Sequence, residues 1–263
     1  MGLAALCEGL AAGRRVVMRR FFIDPATVGD AKATITGDEA HHICDVLRLK
    51  PGTDVELFDG NGNIHQARIQ QTGKGRVEVA ILATRTATGS ATRLAIGVAL
   101  LTGKKMDLVM QKATELGVDT IYPFVSRHCS IKEKNANKED RWQRIIMEAC
   151  KQCNRPTVPK CAPVCDLADL LATGATYAER IIFWEQERSR TLHDLLPAAT
   201  PRPSALALFG PEGGFNSEEI SHAVAAGFTP VSLGSRILRA ETAVIGGSAI
   251  LQFLLGNLNT TPR

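Results

Sequence analysis

No run of apolar residues in this 263-residue chain is long enough to span a bilayer, which leaves a membrane-spanning role without support. A secretory leader is not expected either. The opening "MGLAALCEGLAAGRRVVMRRFF" is apolar in places, but Glu8 interrupts it and its arginines follow the apolar part, the reverse of a signal peptide. The expectation is that Met18 is the natural start and that residues 1–17 are a disordered extension outside the fold. Disulfide regularity is also absent. Seven cysteines are an odd number, irregularly spaced, in a chain too long to need staples, so a reducing, cytoplasmic setting is expected.

Motifs that fail exclude further classes. A Walker phosphate loop at "LTGKKMD" needs Gly five residues before Gly103 and Ser or Thr after the Lys, and Val98 and Lys105 stand there instead. "GNGNIH" and "GKGRVE" supply two glycines of the dinucleotide fingerprint and not the third, so both read as turns. No G-x-S-x-G nucleophile elbow occurs. Cys150 and Cys153, with Cys161 and Cys165 downstream, begin with the spacing of a zinc site. Both fall on the apolar stripe of a helix, where free cysteine behaves as a small hydrophobe, and no metal is expected. His41 and His42 are adjacent, point to different helix faces and do not chelate together.

What is present is a globular composition, 44% hydrophobic, enough for one large core or two modest ones. The net charge of +4 permits an anionic partner without demanding one. From 19 to about 85 the pattern is strand-rich: "RRFFID", "KATIT", "TDVELFD", "IHQARIQQ" and "RVEVAIL", with a short helix at "DEAHHICDVLRL" after Gly37. "DGNG" at 59–62 is a strong hairpin signal, and several short strands with tight turns suggest a small barrel. "TRTATGSATR" shifts composition and marks a domain boundary. Beyond it "LAIGVALL", "TIYPFVS", "RIIFWE", "ALALFG" and "TPVSLG" alternate with helical patterns, which predicts an α/β domain with a parallel sheet covered by helices on both faces. Helices are expected over 104–116, over 139–153, from a capping box at Asn216 and Glu219 to Ala226, and over 242–255, where "GGSA" lets another backbone come close.

Two glycine-containing loops, "LFGPEGGF" and "SLGSRILRAETA", follow the last two expected strands. In an open parallel sheet ligands bind outside the carboxyl ends of the strands, so both loops should line one crevice. Glu212 argues against a phosphate there, because a carboxylate repels it and no lysine follows. Bare amides and carbonyls beside Glu212, Arg239 and Glu241 suit S-adenosylmethionine instead: its carboxylate takes N–H donors, its adenine hydrogen-bonds to backbone, and its sulfonium tolerates acid.

"KKMDLVMQKATELGVDTIYPF", "LFGPEGGFNSEEI" and "LGSRILRAETA", in that order, with "HHICDVLRLKPGTDVELFDGNG" and "EACKQCNR", resemble the ribosomal RNA small subunit methyltransferase E family of the SPOUT superfamily, over about 18–256. The resemblance implies a PUA-like RNA-binding β-barrel over 18–88 and a SPOUT methyltransferase domain with a deep trefoil knot over 92–259. It implies a homodimer, S-adenosylmethionine held in the knot, and methylation at N3 of one uridine near the 3′ end of 16S ribosomal RNA in the small subunit. Cofactor contacts by motif match are Leu208, Phe209, Gly210, Gly214, Leu233, Gly234, Ile237, Leu238, Thr242 and Ala243. Arg239 is the candidate cation for charge developing on the uracil, with a loop salt bridge to Glu241 or Glu212 as its plain alternative. Glu212, Glu241, Glu148, His128 and water are the candidate proton acceptors. Arg20, His42, Arg48, Lys104, Arg127, Arg141, Arg144 and Arg155 are the candidate RNA contacts. Rival readings are a SPOUT enzyme acting on transfer RNA or another ribosomal site, and a non-catalytic RNA-binding assembly factor.

Overall fold

The computed structural model describes residues 18–87, 92–130, 136–195 and 203–258. The expected extension 1–17 and the domain ends expected at 88 and 259 lie outside these residues. Contacts divide the chain into two units, one of the described residues up to Asp59 with Ile64–Arg85, the other of Gly60–Asn63 with the described residues from Thr86 onward.

The first unit is built on β1 (Arg20–Phe22), β2 (Lys32–Thr36), α1 (Gly37–His41), β3 (Asp54–Phe58), β4 (Asn63–Gly73) and β5 (Arg76–Thr86), in one sheet ordered β1-β3-β4-β5-β2. Every strand expected from the sequence is here. Alternation decides which side faces inward: in β2, Ala33 and Ile35 are buried while Lys32 and Thr36 are exposed. Phe21, Ile35, Ile43, Leu57 and Ile69 share the resulting core. The "DGNG" hairpin forms, with β3 antiparallel to β4 and Phe58 opposite Ile64. The expected helix after Gly37 begins as α1 and widens into a looser helical turn over His42–Val46.

The second unit runs β6 (Arg93–Ala99), α2 (Lys105–Glu115), β7 (Thr120–Val125), α3 (Ala136–Gln152), β8 (Lys160–Cys161), β9 (Cys165–Asp166), α4 (Leu167–Gly174), β10 (Glu179–Phe183), β11 (Ser204–Phe209), α5 (Ser217–Ala225), β12 (Thr229–Val231) and α6 (Ala240–Leu254). Its sheet is parallel, ordered β12-β10-β11-β6-β7, with β8 and β9 each pairing the far side of β7. All six residues of β11 are buried, as a central parallel strand covered on both faces requires. Its two last residues show the coverage. A Cβ on Gly97 would stand 2.5 Å from Leu208 and 2.7 Å from Leu170 of α4, while a Cβ on Gly247 of α6 would stand 2.7 Å from the Phe209 ring. Neighbouring strand residues point to opposite faces, so α4 and α6 cover opposite sides of the sheet.

Three local expectations change. The last helix begins at Ala240 and not Thr242, because Arg239 is the N-cap and its carbonyl accepts from Ala243 N at 2.9 Å. The small residues of "GGSA" admit the rings of Phe209 and Phe183, where a neighbouring backbone was expected. The helix α4 was not singled out, although Leu167, Leu170, Leu171 and Gly174 form a stripe at helical spacing, because the segment is only eight residues long.

Candidate functional site

Parallel strands deliver their carboxyl ends to one edge, and four of those ends meet at a cavity of about 530 Å³ in the second unit. Lys105 reaches it from the turn after β6, Trp184 and Glu185 from the end of β10, residues 210–214 from β11, and Ser232 through Arg239 from β12. The first turn of α6 closes it with Ala240, Glu241 and Ala243.

Of the cofactor contacts expected from the sequence, Phe209, Gly210, Gly214, Leu233, Gly234, Ile237, Leu238 and Ala243 line the cavity. Leu208 does not, because strand alternation turns it toward α4, and Thr242 does not, because it lies on the exposed side of α6. Trp184, Glu185, Lys105 and Arg236 line it and were missed. The signal for Trp184 and Glu185 was available: "RIIFWE" is a strand whose carboxyl end belongs at the same edge.

The loop after β11 is braced on every side. Glu212 Oε1 accepts from Thr102 N at 2.9 Å, Thr102 Oγ1 at 2.7 Å and Lys105 Nζ at 2.9 Å. Burial alone would raise the carboxyl's pKa, but these donors, led by the Thr102 amide, outweigh it and hold the pKa at about 2. Glu212 is therefore a strut between the loop and the β6–α2 turn; the proton-acceptor role expected for it does not suit an oxygen already bound to three donors. His128 Nδ1 lies 3.1 Å and 3.2 Å from the carbonyl oxygens of Gly213 and Gly214. Gly214 itself has φ +69°, and a Cβ there would stand 2.5 Å from Glu185 Oε1. The capping box forms as expected: Asn216 accepts from Glu219 N at 2.7 Å, and Glu219 accepts from Asn216 N at 3.0 Å, Ser126 Oγ at 2.8 Å and Arg127 N at 2.9 Å.

The loop after β12 differs. Ser232 Oγ bonds Gly234 N at 3.2 Å, and Ser232 N donates to Arg190 O at 3.0 Å. Beyond that, Ile237 is 89% exposed and Arg239 makes no ion pair among the described residues. Neither salt bridge considered for Arg239 forms: Glu212 is taken by Lys105, and Glu241 Oε2 is buried without a hydrogen-bond partner among the described residues. Trp184 Nε1 is in the same condition. Both residues line the cavity, and each thus carries one buried polar atom without a hydrogen-bond partner among the described residues.

The expected RNA cations separate into two groups. His42, Arg48, Lys104, Arg127, Arg141 and Arg144 are exposed, Arg141 paired with Asp107 and Arg127 with Glu218 at 3.5 Å. Arg20 and Arg155 are not surface cations. The Arg20 side chain is 6% exposed, stacked over Phe58 at 4.7 Å and 3.5 Å from Glu56. Arg155 turns inward to donate to the carbonyls of Thr114 at 3.1 Å and Val118 at 2.7 Å, with Asp119 at 3.4 Å. Desolvation lowers its pKa against the opposing pull of Asp119. Both long side chains gain more from apolar contact and buried acceptors than from water. The Cys150 side chain is buried in the core, Cys153 half-buried beside it.

Comparison with known proteins places this geometry in context. A family described as "RNA methyltransferase domain" matches residues 88–252, and one described as "RNA methyltransferase PUA domain" matches 35–82. Ribosomal RNA small subunit methyltransferase E of Buchnera aphidicola (subsp. Schizaphis graminum) is 31% identical over 230 residues, 83% of this chain and 89% of that protein. The crystal structure of ribosomal RNA small subunit methyltransferase E from Neisseria gonorrhoeae, bound to S-adenosyl methionine, is 33% identical, with a TM-score of 0.81 over 90% of this chain and 98% of that one. A Legionella pneumophila methyltransferase structure with bound S-adenosyl methionine gives 31% identity and the same TM-score and coverage.

Proposed function

This chain belongs to the RNA methyltransferase family of ribosomal RNA small subunit methyltransferase E, and on that premise we propose that it methylates N3 of one uridine near the 3′ end of 16S ribosomal RNA in the small subunit, using S-adenosylmethionine. The observation that carries the reading is the convergence of both glycine loops on one cavity with Arg239 unpaired at its rim among the described residues. The residues present fit the cofactor. The cavity has the size of a small-molecule site, the two glycine loops line it together with the aromatic residues Phe183, Trp184 and Phe209, and Trp184 and Glu241 each carry a buried polar atom without a partner among the described residues. When bound, S-adenosylmethionine supplies a methyl carbon already activated by a sulfonium.

The chain's own work is alignment and charge. Loss of the N3 proton spreads negative charge over O2 and O4 of the uracil, and the Arg239 guanidinium, unengaged by protein carboxylates among the described residues, is placed to meet it with a fixed fork of donors. Of the acceptors named from the sequence, Glu241 lines the cavity with an oxygen lacking a hydrogen-bond partner among the described residues, whereas Glu148 pairs with Lys151 at 2.7 Å outside it. Exposed Ile237, Leu238, Ile250 and Phe253, on the second loop and α6, support a homodimer in which another copy covers them. After edge strand β12 the chain returns as α6 to pack on β6, β11 and α2, a path that supports the knotted reading. The exposed cations of the 18–88 domain, His42 and Arg48, support its RNA-gripping role. No helix among the described residues is long and apolar enough to cross a membrane, and the cytoplasm is the compartment where this substrate resides.

Incubating the protein and S-adenosylmethionine with small subunits from a strain lacking the modification, then mapping the nucleosides, tests the reading. One N3-methyluridine near the 3′ end of 16S RNA is expected; methyl groups found only on transfer RNA or another ribosomal position overturn it.

A further inference from the structure

A second cavity, of about 310 Å³, opens on the other side of the β6–α2 turn, where nothing in the methyl-transfer reading uses it. We propose that it receives a single-stranded RNA nucleotide flanking the target base, with the phosphate held by Lys104 and Lys138. The inference rests on the reading above for its substrate. Its floor is apolar, from Leu101, Met106 and Trp142, which suits the flat face of an unstacked base. Its rim is cationic. Lys104 and Lys138 make no ion pair among the described residues, and Asp107, the one carboxylate in the wall among the described residues, is already neutralised by two bonds from Arg141. An anion with an aromatic body satisfies both halves of this lining, and a neutral or cationic occupant satisfies only the floor.

The position follows from one turn. Lys105 lines the first cavity while its chain neighbours Lys104 and Met106 line the second, so the two cavities flank the same start of α2. An RNA strand that places its target base in the first meets the second with an adjacent nucleotide, held by stacking and by its phosphate whatever the base.

The test uses the full-length protein carrying both Lys104→Ala and Lys138→Ala, and a second form carrying Lys104→Arg and Lys138→Arg. Steady-state methylation of unmodified small subunits is measured across a salt series, with S-adenosylmethionine affinity by calorimetry. The alanine pair should raise KM for the subunits on the order of tenfold and flatten the slope of log KM against log salt by about one, for the one phosphate contact removed, with cofactor affinity kept. The arginine pair should restore both values. An unchanged KM and slope, a parallel loss of cofactor affinity, or a shift in sedimentation with subunit binding intact overturns the proposal, the last by making the cleft a contact between copies. Wild-type protein that methylates no small subunit at all refutes the function itself and is told apart by that control.

Discussion

The two loops that wall the first cavity both carry glycine after a strand and live under opposite constraints. The loop after β11 is tied at Glu212, Gly213 and Gly214 to the β6–α2 turn and to His128. The loop after β12 is held near Ser232 and is then exposed through Leu238 to Arg239. The lesson is that glycine richness alone does not distinguish a rigid wall from an adaptable one; the side chains that reach the loop do. A braced wall fixes where the cofactor sits, and an open one leaves its arginine available to the acceptor base.

If this contrast is right, the largest effect should come from Arg239, which makes no ion pair among the described residues. Arg239→Ala is expected to lower single-turnover rate by about 10²–10³, the range for removing a positioned donor at developing negative charge, with melting temperature nearly unchanged. An unchanged rate would remove Arg239 from the chemistry and erase the contrast. Arg155→Ala should do the reverse: it leaves two carbonyls and Asp119 without their buried cation, and should cost about 2–3 kcal/mol in denaturant unfolding, with cofactor and RNA binding lost only as far as the folded fraction falls. Affinity for ribosomal particles falling with stability intact would make it an RNA contact after all.

The glycines sharpen the comparison. Gly214→Ala meets strain at φ +69° and the Glu185 carboxylate at 2.5 Å, whereas Gly234→Ala meets strain at φ +107° and open space. The first should cost about 2 kcal/mol and weaken cofactor binding about tenfold, the second about 1 kcal/mol with little change in affinity, both read from melts and calorimetry. Equal effects would mean the two loops are not differently braced. The smallest effect concerns Glu212. Its folded pKa of about 2 lies below the ordinary 4.5, so its contribution is fully present above about pH 5 and fades as pH falls toward 2. Glu212→Gln should therefore be about 1 kcal/mol less stable than wild type at pH 7, a figure reduced for the partial exposure of the pair, and the gap should close on acidification. A gap independent of pH would show that the strut does not depend on the charge.

Where residues carry periodicity or a named local motif, they were legible in advance. Alternation in "KATIT", the glycines of "DGNG" and the capping box at Asn216 form as expected because each is decided by neighbours a few positions away. Most of the cavity's contacts from the two glycine loops were expected from the family resemblance of those loops and not from local pattern. Leu208 was misplaced because a motif match does not say which face of a strand a residue takes, and Thr242 because helix phase depends on where the helix starts.

By itself the sequence determined the strand and helix segments, the two-part organisation and the pair of loops at the carboxyl edge, all of which depend on short-range patterns of burial and backbone freedom. Only the tertiary structure decided which charges stay free. Arg155 and Arg239 are the same residue type in similar polar settings along the chain, yet one is drawn inward by carbonyls 37 and 41 positions away and the other finds no carboxylate within reach among the described residues. Long-range partners make that choice, because a charge's fate depends on what the fold brings beside it, and no local pattern carries that information.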